Sequence, residues 1–385
     1  MNILIVGAGF YGLTIGRLLT NIGHNCKIID KRNHIGGNCY DKPIESNNKI
    51  ITIHKYGPHI FHTSNEKVID FISKYMKLNS FVLNIIAKDD KNKIYHLPFN
   101  MNTFYDVFGT SDIFTIKSLI NKEIRVAGLI NKIPENLEEK AIQMVGTTIY
   151  NTLIKNYTEK QWNKKCTELS PDIIKRLPLR YYYDNSYHDI KDQYRGIPIG
   201  GYTKVCQNII DGIEGENKLN ILLGIDFKDI KEKYDKIIYC GAIDELLEYK
   251  FGPLQWRSLK FENIEYEFRY EDSMGTAQTN LVGTQRGTRI IDHIYFTPEN
   301  LEEFIGKKTI QTLEIPDDWE IGKERYYSIN NKESEDLYNK YVEECKKIYP
   351  NIILGGRLGK YKYLDMDKTI LEAIKDFEYY FSISS

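Results

Sequence analysis

Met1-Asn2-Ile3-Leu4-Ile5-Val6-Gly7-Ala8-Gly9-Phe10-Tyr11-Gly12 opens the chain. The apolar run Ile3 to Val6 ends in glycines at 7, 9 and 12, and a second apolar run, Cys26 to Ile29, ends in Asp30. Strand, glycine turn, helix, strand and terminal acid are the parts of a dinucleotide-binding βαβ unit. Gly7 allows the tight turn, Gly9 lets the backbone approach a pyrophosphate, and Gly12 lets the helix pack close to the sheet. The helix N-terminus attracts phosphate because its first N–H groups lack intrahelical partners and its dipole is positive there. Asp30 is placed to accept hydrogen bonds from a ribose. Beyond it, Lys31 and Arg32 lead to Gly36-Gly37 and Asn38. Paired glycines after a basic residue suit a second turn whose main-chain N–H groups meet a bulky cofactor. That addition favours FAD over NAD.

The 385 residues suffice for two or three domains with a full core. A net charge of −1 gives no global field that would draw nucleic acid or a membrane surface. No run of 18 apolar residues predicts a membrane span. The chain begins directly with a strand, without a basic segment and apolar leader, so a cytoplasmic protein is expected. Its six cysteines form no CxxC pair, which fits reduced thiols rather than a disulfide frame or zinc site. His59 and His62 alone are too few ligands for a metal, so none is expected.

Ile51 to Ile53 and Phe81 to Ile86 read as strands, and 64–77 has helical periodicity. From about 103 to 162 the pattern is helical. Its clearest helix starts at Asn136, with Glu139 three residues on and Leu137, Ala141, Val145 and Ile149 on one face. A helix at 204–213, strands near 219–223 and 236–240, alternation over 259–312 and a last helix at about 367–381 follow. The fold expected is α/β: a discontinuous Rossmann-like FAD-binding domain (1–78, 200–250 and 350–385), an inserted helical domain (100–175) and an antiparallel β-sheet domain (79–99, 176–199 and 251–349).

No Ser–His–Asp set, HExxH or Walker loop is present. What remains is a flavin fold with arginines and many tyrosines. A planar guanidinium matches a diphosphate with two N–H groups at once. The residues therefore suggest a flavoenzyme whose substrate carries its own pyrophosphate.

Seven ordered motifs extend this reading from end to end. They are Gly7 to Gly12, His34 to Asn38, Tyr56 to Thr63, Tyr157 to Trp162, Lys175 to Pro178, Gly200 to Thr203 and Gly356 to Asp367. In these the sequence resembles the UDP-galactopyranose mutase family. The resemblance implies an isomerase that interconverts UDP-galactopyranose and UDP-galactofuranose. Reduced FAD would form a covalent N5–sugar adduct, with no net redox. It also implies UDP-galactose as substrate, a reductant such as NAD(P)H or a reductase, a homodimer, and a place in polysaccharide biosynthesis.

By the same resemblance Arg176, on a mobile loop, and Arg289 grip the diphosphate and stabilise the departing nucleotide. Tyr187, Tyr327 and Tyr363 contact its phosphates. Tyr157 stacks on the uracil, Trp162 belongs to the same motif, and Asn84 and Asn280 are polar positions near the sugar or nucleotide. His62 lies on the loop nearest flavin N5, and Asp365 tunes the pocket. FAD would be held by Gly7, Gly9, Phe10, Gly12, Asp30, Lys31, Gly37, Asn38, His59, Arg357, Tyr363, Leu364, Asp365 and Met366. Asp367 would cap the last helix, whose positive end would face the flavin N1–C2 edge and favour the anionic reduced form. Three departures touch the nucleotide pocket: Leu153-Ile154 in place of Phe-Phe, Ile85 in place of an arginine, and Ile199-Gly200 in place of Lys-Cys. The competing readings are an FAD oxidoreductase of the amine-oxidase-like group, a silent flavin- or nucleotide-sugar-binding protein, and the same mutase chemistry on another nucleotide-linked sugar.

Overall fold

Two sheets divide the work of the molecule. The computed structural model describes residues 1–46, 49–174, 177–188 and 192–381. A five-stranded parallel sheet has the order β16 (Ile352–Leu354), β10 (Lys236–Tyr239), β1 (Asn2–Val6), β2 (Asn25–Asp30), β9 (Asn220–Leu223). Its central strands read as unbroken apolar runs because helices cover both faces. Ile3, Leu4 and Ile5 are fully buried. Helices α1 (Phe10–Asn21), α2 (Glu66–Ile72), α7 (Tyr202–Asp211) and α11 (Met366–Phe381) share one core with this sheet.

Glycine sets the distance from α1 to the sheet. A Cβ on Gly12 would stand 2.0 Å from the Gly7 carbonyl oxygen, inside any permitted contact. Arg17, fully buried on α1, is tolerated because it donates to the carbonyls of Ile209 and Ile210 in the last turn of α7 and of Asn217 beyond it.

The second sheet has seven strands in the order β15 (Tyr327–Ser328), β11 (Trp256–Glu267), β14 (Lys308–Asp318), β13 (Arg289–Asp292), β12 (Gln278–Leu281), β6 (Ile85–Lys88), β7 (Ile94–Leu97). It is antiparallel except where β12 runs parallel to β6, which joins an early segment of the chain to a late one. The expected strand at Phe81 begins only at Ile85. Phe81 and Leu83 instead sit in the core under this sheet, while Tyr187 donates its N–H to the Leu83 carbonyl. Two smaller ribbons pair β3 (Asp41–Ser46) with β4 (Lys49–His54), and β5 (Phe61–Thr63) with β8 (Tyr194–Gly196).

Four helices fill the inserted block: α3 (Met101–Phe108), α4 (Ile113–Val126), α5 (Leu137–Ile149) and α6 (Lys155–Trp162). Asn100, Asp112 and Asn136 cap the first three by accepting backbone N–H bonds. Asn136 takes the Glu139 N–H as expected, but the Glu139 carboxylate returns to the N–H of Glu135, not to that of its cap. Gly146 (φ +80°) kinks α5, and a π-turn over Tyr150–Ile154 then leads into α6. Turns of that type recur beside functional sites because they re-aim side chains. The remaining helices are α8 (Ile243–Leu246), α9 (Lys332–Ile348) and α10 (Gly356–Gly359).

Candidate active site

A cavity of ≈ 1820 Å³ runs from the glycine turn of β1–α1 to the π-turn and α6. Single-ligand sites fill roughly 300–1,000 Å³, so this one has room for two large ligands end to end.

The first end is made of backbone. Gly9 is the N-cap of α1 and brings no side chain to the first-turn N–H groups, so an anion can take them. Gly37 lies opposite: a Cβ built there would come within 3.4 Å of Gly9 Cα, so the two turns enclose a slot that side chains would narrow. Asp30 accepts the Ala8 N–H at 2.8 Å and the Arg32 N–H at 2.9 Å. Each carboxylate oxygen keeps a lone pair for a ribose hydroxyl. Asn38 accepts from Arg32, whose guanidinium lies over the Tyr56 ring. Lys31 stands at the rim, ion-paired with Glu245 at 2.7 Å.

His59 is bonded through Nδ1 to the Gly57 carbonyl, and burial with His54 beside it pushes it down to about 3. It is therefore neutral, with Nδ1–H donating and Nε2 left as an acceptor. Arg357 donates to the Tyr326 carbonyl and lies over the Tyr363 ring. Tyr363, Leu364, Asp365 and Met366 line the cavity where α11 begins. Asp367 does not cap that helix. It lies one residue inside it and accepts the Thr63 hydroxyl, because Asp365 already occupies the preceding turn and its carbonyl takes the Thr369 N–H.

Side chains make the second end. Arg289 begins β13 directly opposite Glu314 of β14, and that carboxylate is 1% exposed. The pair is 3.5 Å apart, and Arg289 Nε donates to the Tyr157 hydroxyl at 2.7 Å. Burial opposes the charge on Arg289, but Glu314 and the phenols of Tyr157 and Tyr327 outweigh it, so the guanidinium stays protonated. Trp162, Tyr327 and Tyr363 form an aromatic line with ring centroids 6.4 and 5.9 Å apart, joining the two ends. Burial raises the Tyr157 and Tyr327 phenols above their ordinary value, so both keep their protons as donors. Tyr187 and Asn280 also line the space, and Asn280 accepts from Gln278.

His62 bonds through Nδ1 to Asp192 at 2.8 Å and stacks on His188 at 4.0 Å. Burial, then the neighbouring His62 and Arg195, lower His188 to about 3. Asn84 is displaced from the expected set. It bridges to Ser186 through the backbone, and its carbonyl takes the Thr276 hydroxyl outside the cavity lining. Arg176 lies outside the described residues.

Glu314, Gln278, Asp192 and His188 were not singled out from the sequence. For Glu314 the signal was an acid within an otherwise alternating strand, but only the register shows that it faces Arg289.

The family model for UDP-galactopyranose mutase matches residues 152–363, and a model for NAD(P)-binding Rossmann-like domains matches residues 5–75. A dTDP-fucopyranose mutase of Escherichia coli is 37% identical over 386 residues, covering 98% of each chain. A UDP-galactopyranose mutase of Mycoplasma genitalium is 32% identical, covering 97% of this chain and 93% of its own. A crystal structure of reduced UDP-galactopyranose mutase superposes with a TM-score of 0.75 at 16% identity, over 98% of this chain and 93% of that one. Putrescine oxidase shares the fold at 0.57, so architecture alone does not separate mutase from oxidase. FAD is the cofactor that fits the slot. The full-length relatives, with the model covering residues 152–363, place this chain in the UDP-galactopyranose mutase family.

Proposed function

We propose that the chain is an isomerase that interconverts UDP-galactopyranose and UDP-galactofuranose with no net redox change. One observation carries the reading: a backbone slot for FAD and a guanidinium–tyrosine wall share one continuous cavity. Reduced FAD, when bound, supplies an electron pair to the anomeric carbon and recovers it at the end. The chain's own residues supply placement and charge. Tyr157 and Trp162 hold the nucleobase by stacking. Arg289 neutralises the charge that grows on the diphosphate as it leaves, and Arg176 is the second cation for that task. Tyr187, Tyr327 and Tyr363 donate hydroxyl hydrogen bonds to phosphate oxygens. Glu314 keeps Arg289 charged and aimed before substrate arrives. His62, oriented by Asp192, and Asp365 border the sugar. The Tyr363–Met366 segment closes the far wall and excludes water.

A homodimer, a reductant such as NAD(P)H or a reductase, and a cytoplasmic setting complete the proposal by family resemblance. Among the described residues no helix is long and apolar enough to cross a membrane.

A second reading keeps the chemistry and changes the nucleotide. The Escherichia coli relative is named for dTDP-fucopyranose, and Leu153 and Ile154 give the nucleobase end an apolar wall that suits a thymine methyl. The test is one substrate panel. FAD-loaded protein is incubated with UDP-galactofuranose or dTDP-fucofuranose, with and without dithionite. Formation of a pyranose only after reduction supports the mutase, and the faster substrate selects the nucleotide. Oxygen consumption with an oxidised product overturns both readings.

A further inference from the structure

Lys160 lies on α6 three residues after Tyr157, yet it does not line the cavity. Its ammonium donates to the carbonyls of Leu281 at 2.9 Å, Gln285 at 3.0 Å and Gly287 at 2.8 Å. An ammonium has three donors and no acceptor, so all three are used. Leu281 ends β12, and Gln285 and Gly287 lie in its connection to β13, whose far end delivers Arg289. The same loop is pinned from its other side. Asp90 accepts the Thr284 N–H at 2.9 and 2.8 Å and its hydroxyl at 3.1 Å, and a Cβ on Gly283 would collide with that carboxylate.

Two ties therefore join α6 to the β12–β13 hairpin. The Tyr157–Arg289 bond lies inside the cavity, where a bound diphosphate would compete for the guanidinium. The Lys160 tie lies outside the cavity lining, where a bound diphosphate does not compete for it. Burial, opposed by Asp90, lowers the Lys160 ammonium to about 8. A neutral amine would have only two N–H donors for three carbonyls.

We propose that Lys160 is a positioning residue that sets the spacing between the nucleobase shelf on α6 and Arg289, so that one nucleoside diphosphate engages both at once. The proposal rests on the reading of Tyr157 and Arg289 as substrate contacts. A ligand with two anchor points gains from the second only when the two subsites stand at the distance it spans.

Calorimetric titration of the FAD-loaded Lys160→Met protein tests this. The probes are UDP, which spans both subsites, and uridine and inorganic pyrophosphate, which each occupy one. If the wild type takes dTDP instead, dTDP and thymidine replace the uracil pair. The expected result is a Kd for the diphosphate raised about tenfold or more, with uridine and pyrophosphate each changed by less than about twofold. In turnover, kcat/KM falls, because the position of Arg289 affects both the bound diphosphate and its departure. A uniform loss across the three probes would make Lys160 an ordinary stabiliser and overturn the proposal, as would an unchanged diphosphate Kd. Lys160→Arg provides the second variant should Lys160→Met fail to fold. A planar fork cannot converge on three carbonyls as an ammonium does, so the same split is expected at about threefold. Failure of the wild type to bind either diphosphate would instead remove the underlying reading of the site.

Discussion

The two ends of the cavity bind by different means. The cofactor end is backbone: Gly7, Gly9 and Gly12 within six residues, Gly37 facing them, and first-turn N–H groups as the anion donors. The substrate end is side chain: Arg289, Glu314, Tyr157 and Tyr327 come from four distant segments and meet only through the seven-stranded sheet and α6. A backbone site is set by local geometry, and at Gly12 it tolerates no added atom. A side-chain site is set by tertiary registration and tolerates atoms but not lost charge.

Breaking the first end should cause the largest effect. Gly12→Val places side-chain atoms against the Gly7 carbonyl, where even a Cβ stands at 2.0 Å. The expected outcome is purified protein without flavin absorbance and without activity. Yellow protein from this variant would mean that α1 can move off the sheet and that the slot is not defined by glycine.

Arg289→Ala breaks the second end. It should retain FAD and lose on the order of 100-fold in turnover, as when one transition-state charge contact is removed. It also leaves Glu314 buried without its partner, which costs about 3–5 kcal/mol in comparable cases. Adding Glu314→Gln should restore much of the thermal stability and none of the rate. Recovery of activity in that double variant would take Arg289 out of the reaction and leave it a structural partner of Glu314.

The same contrast explains what could be read from the chain alone. The βαβ start was legible because its glycines, apolar runs and acid are all within 30 residues and each follows from a local steric need. The α5 cap at Asn136 was legible for the same reason. Arg289 and Tyr157 were reached by motif resemblance, not by any local rule, since 132 positions separate them. Glu314 was missed because nothing near it in the chain announces an arginine across the ladder. Asn84 came from resemblance alone; the structure gives it a lone bridge to Ser186 just before β6 begins at Ile85, and it is not among the residues that line the cavity.

Acid should weaken both ends together. Burial pushes His54, His59 and His188 to about 3, and holds His293 well below its ordinary value. The unfolded chain takes a proton on each near 6.5. Above that pH neither state is protonated. As pH falls from 6.5 towards 3 the unfolded state binds protons that the fold refuses, so stability is lost by up to about 1.4 kcal/mol per pH unit for each histidine. Asp292 works the other way, since burial raises it to about 6 and the fold gains stability as it protonates between 6 and its unfolded value. Four histidines outweigh Asp292 and Asp244, the second carboxyl that burial raises, so melting temperature should drop from pH 7 to pH 5. A flat or rising profile over that range would mean that these imidazoles are solvated in solution.

The smallest effects separate motif from geometry. Asn280 lines the cavity and is held by the Gln278 amide, whereas Asn84 does neither. Asn280→Ala should raise KM about fivefold, equivalent to about one hydrogen bond of roughly 1 kcal/mol. Asn84→Ala should leave kcat and KM within about twofold, because an exposed side chain away from special contacts contributes little. The reverse order would mean that the segment before β6 swings into the cavity when substrate binds. In that event the substrate end would be completed by a moving segment, whereas the cofactor end, fixed by glycine contacts that no side chain can replace, would stay as it is.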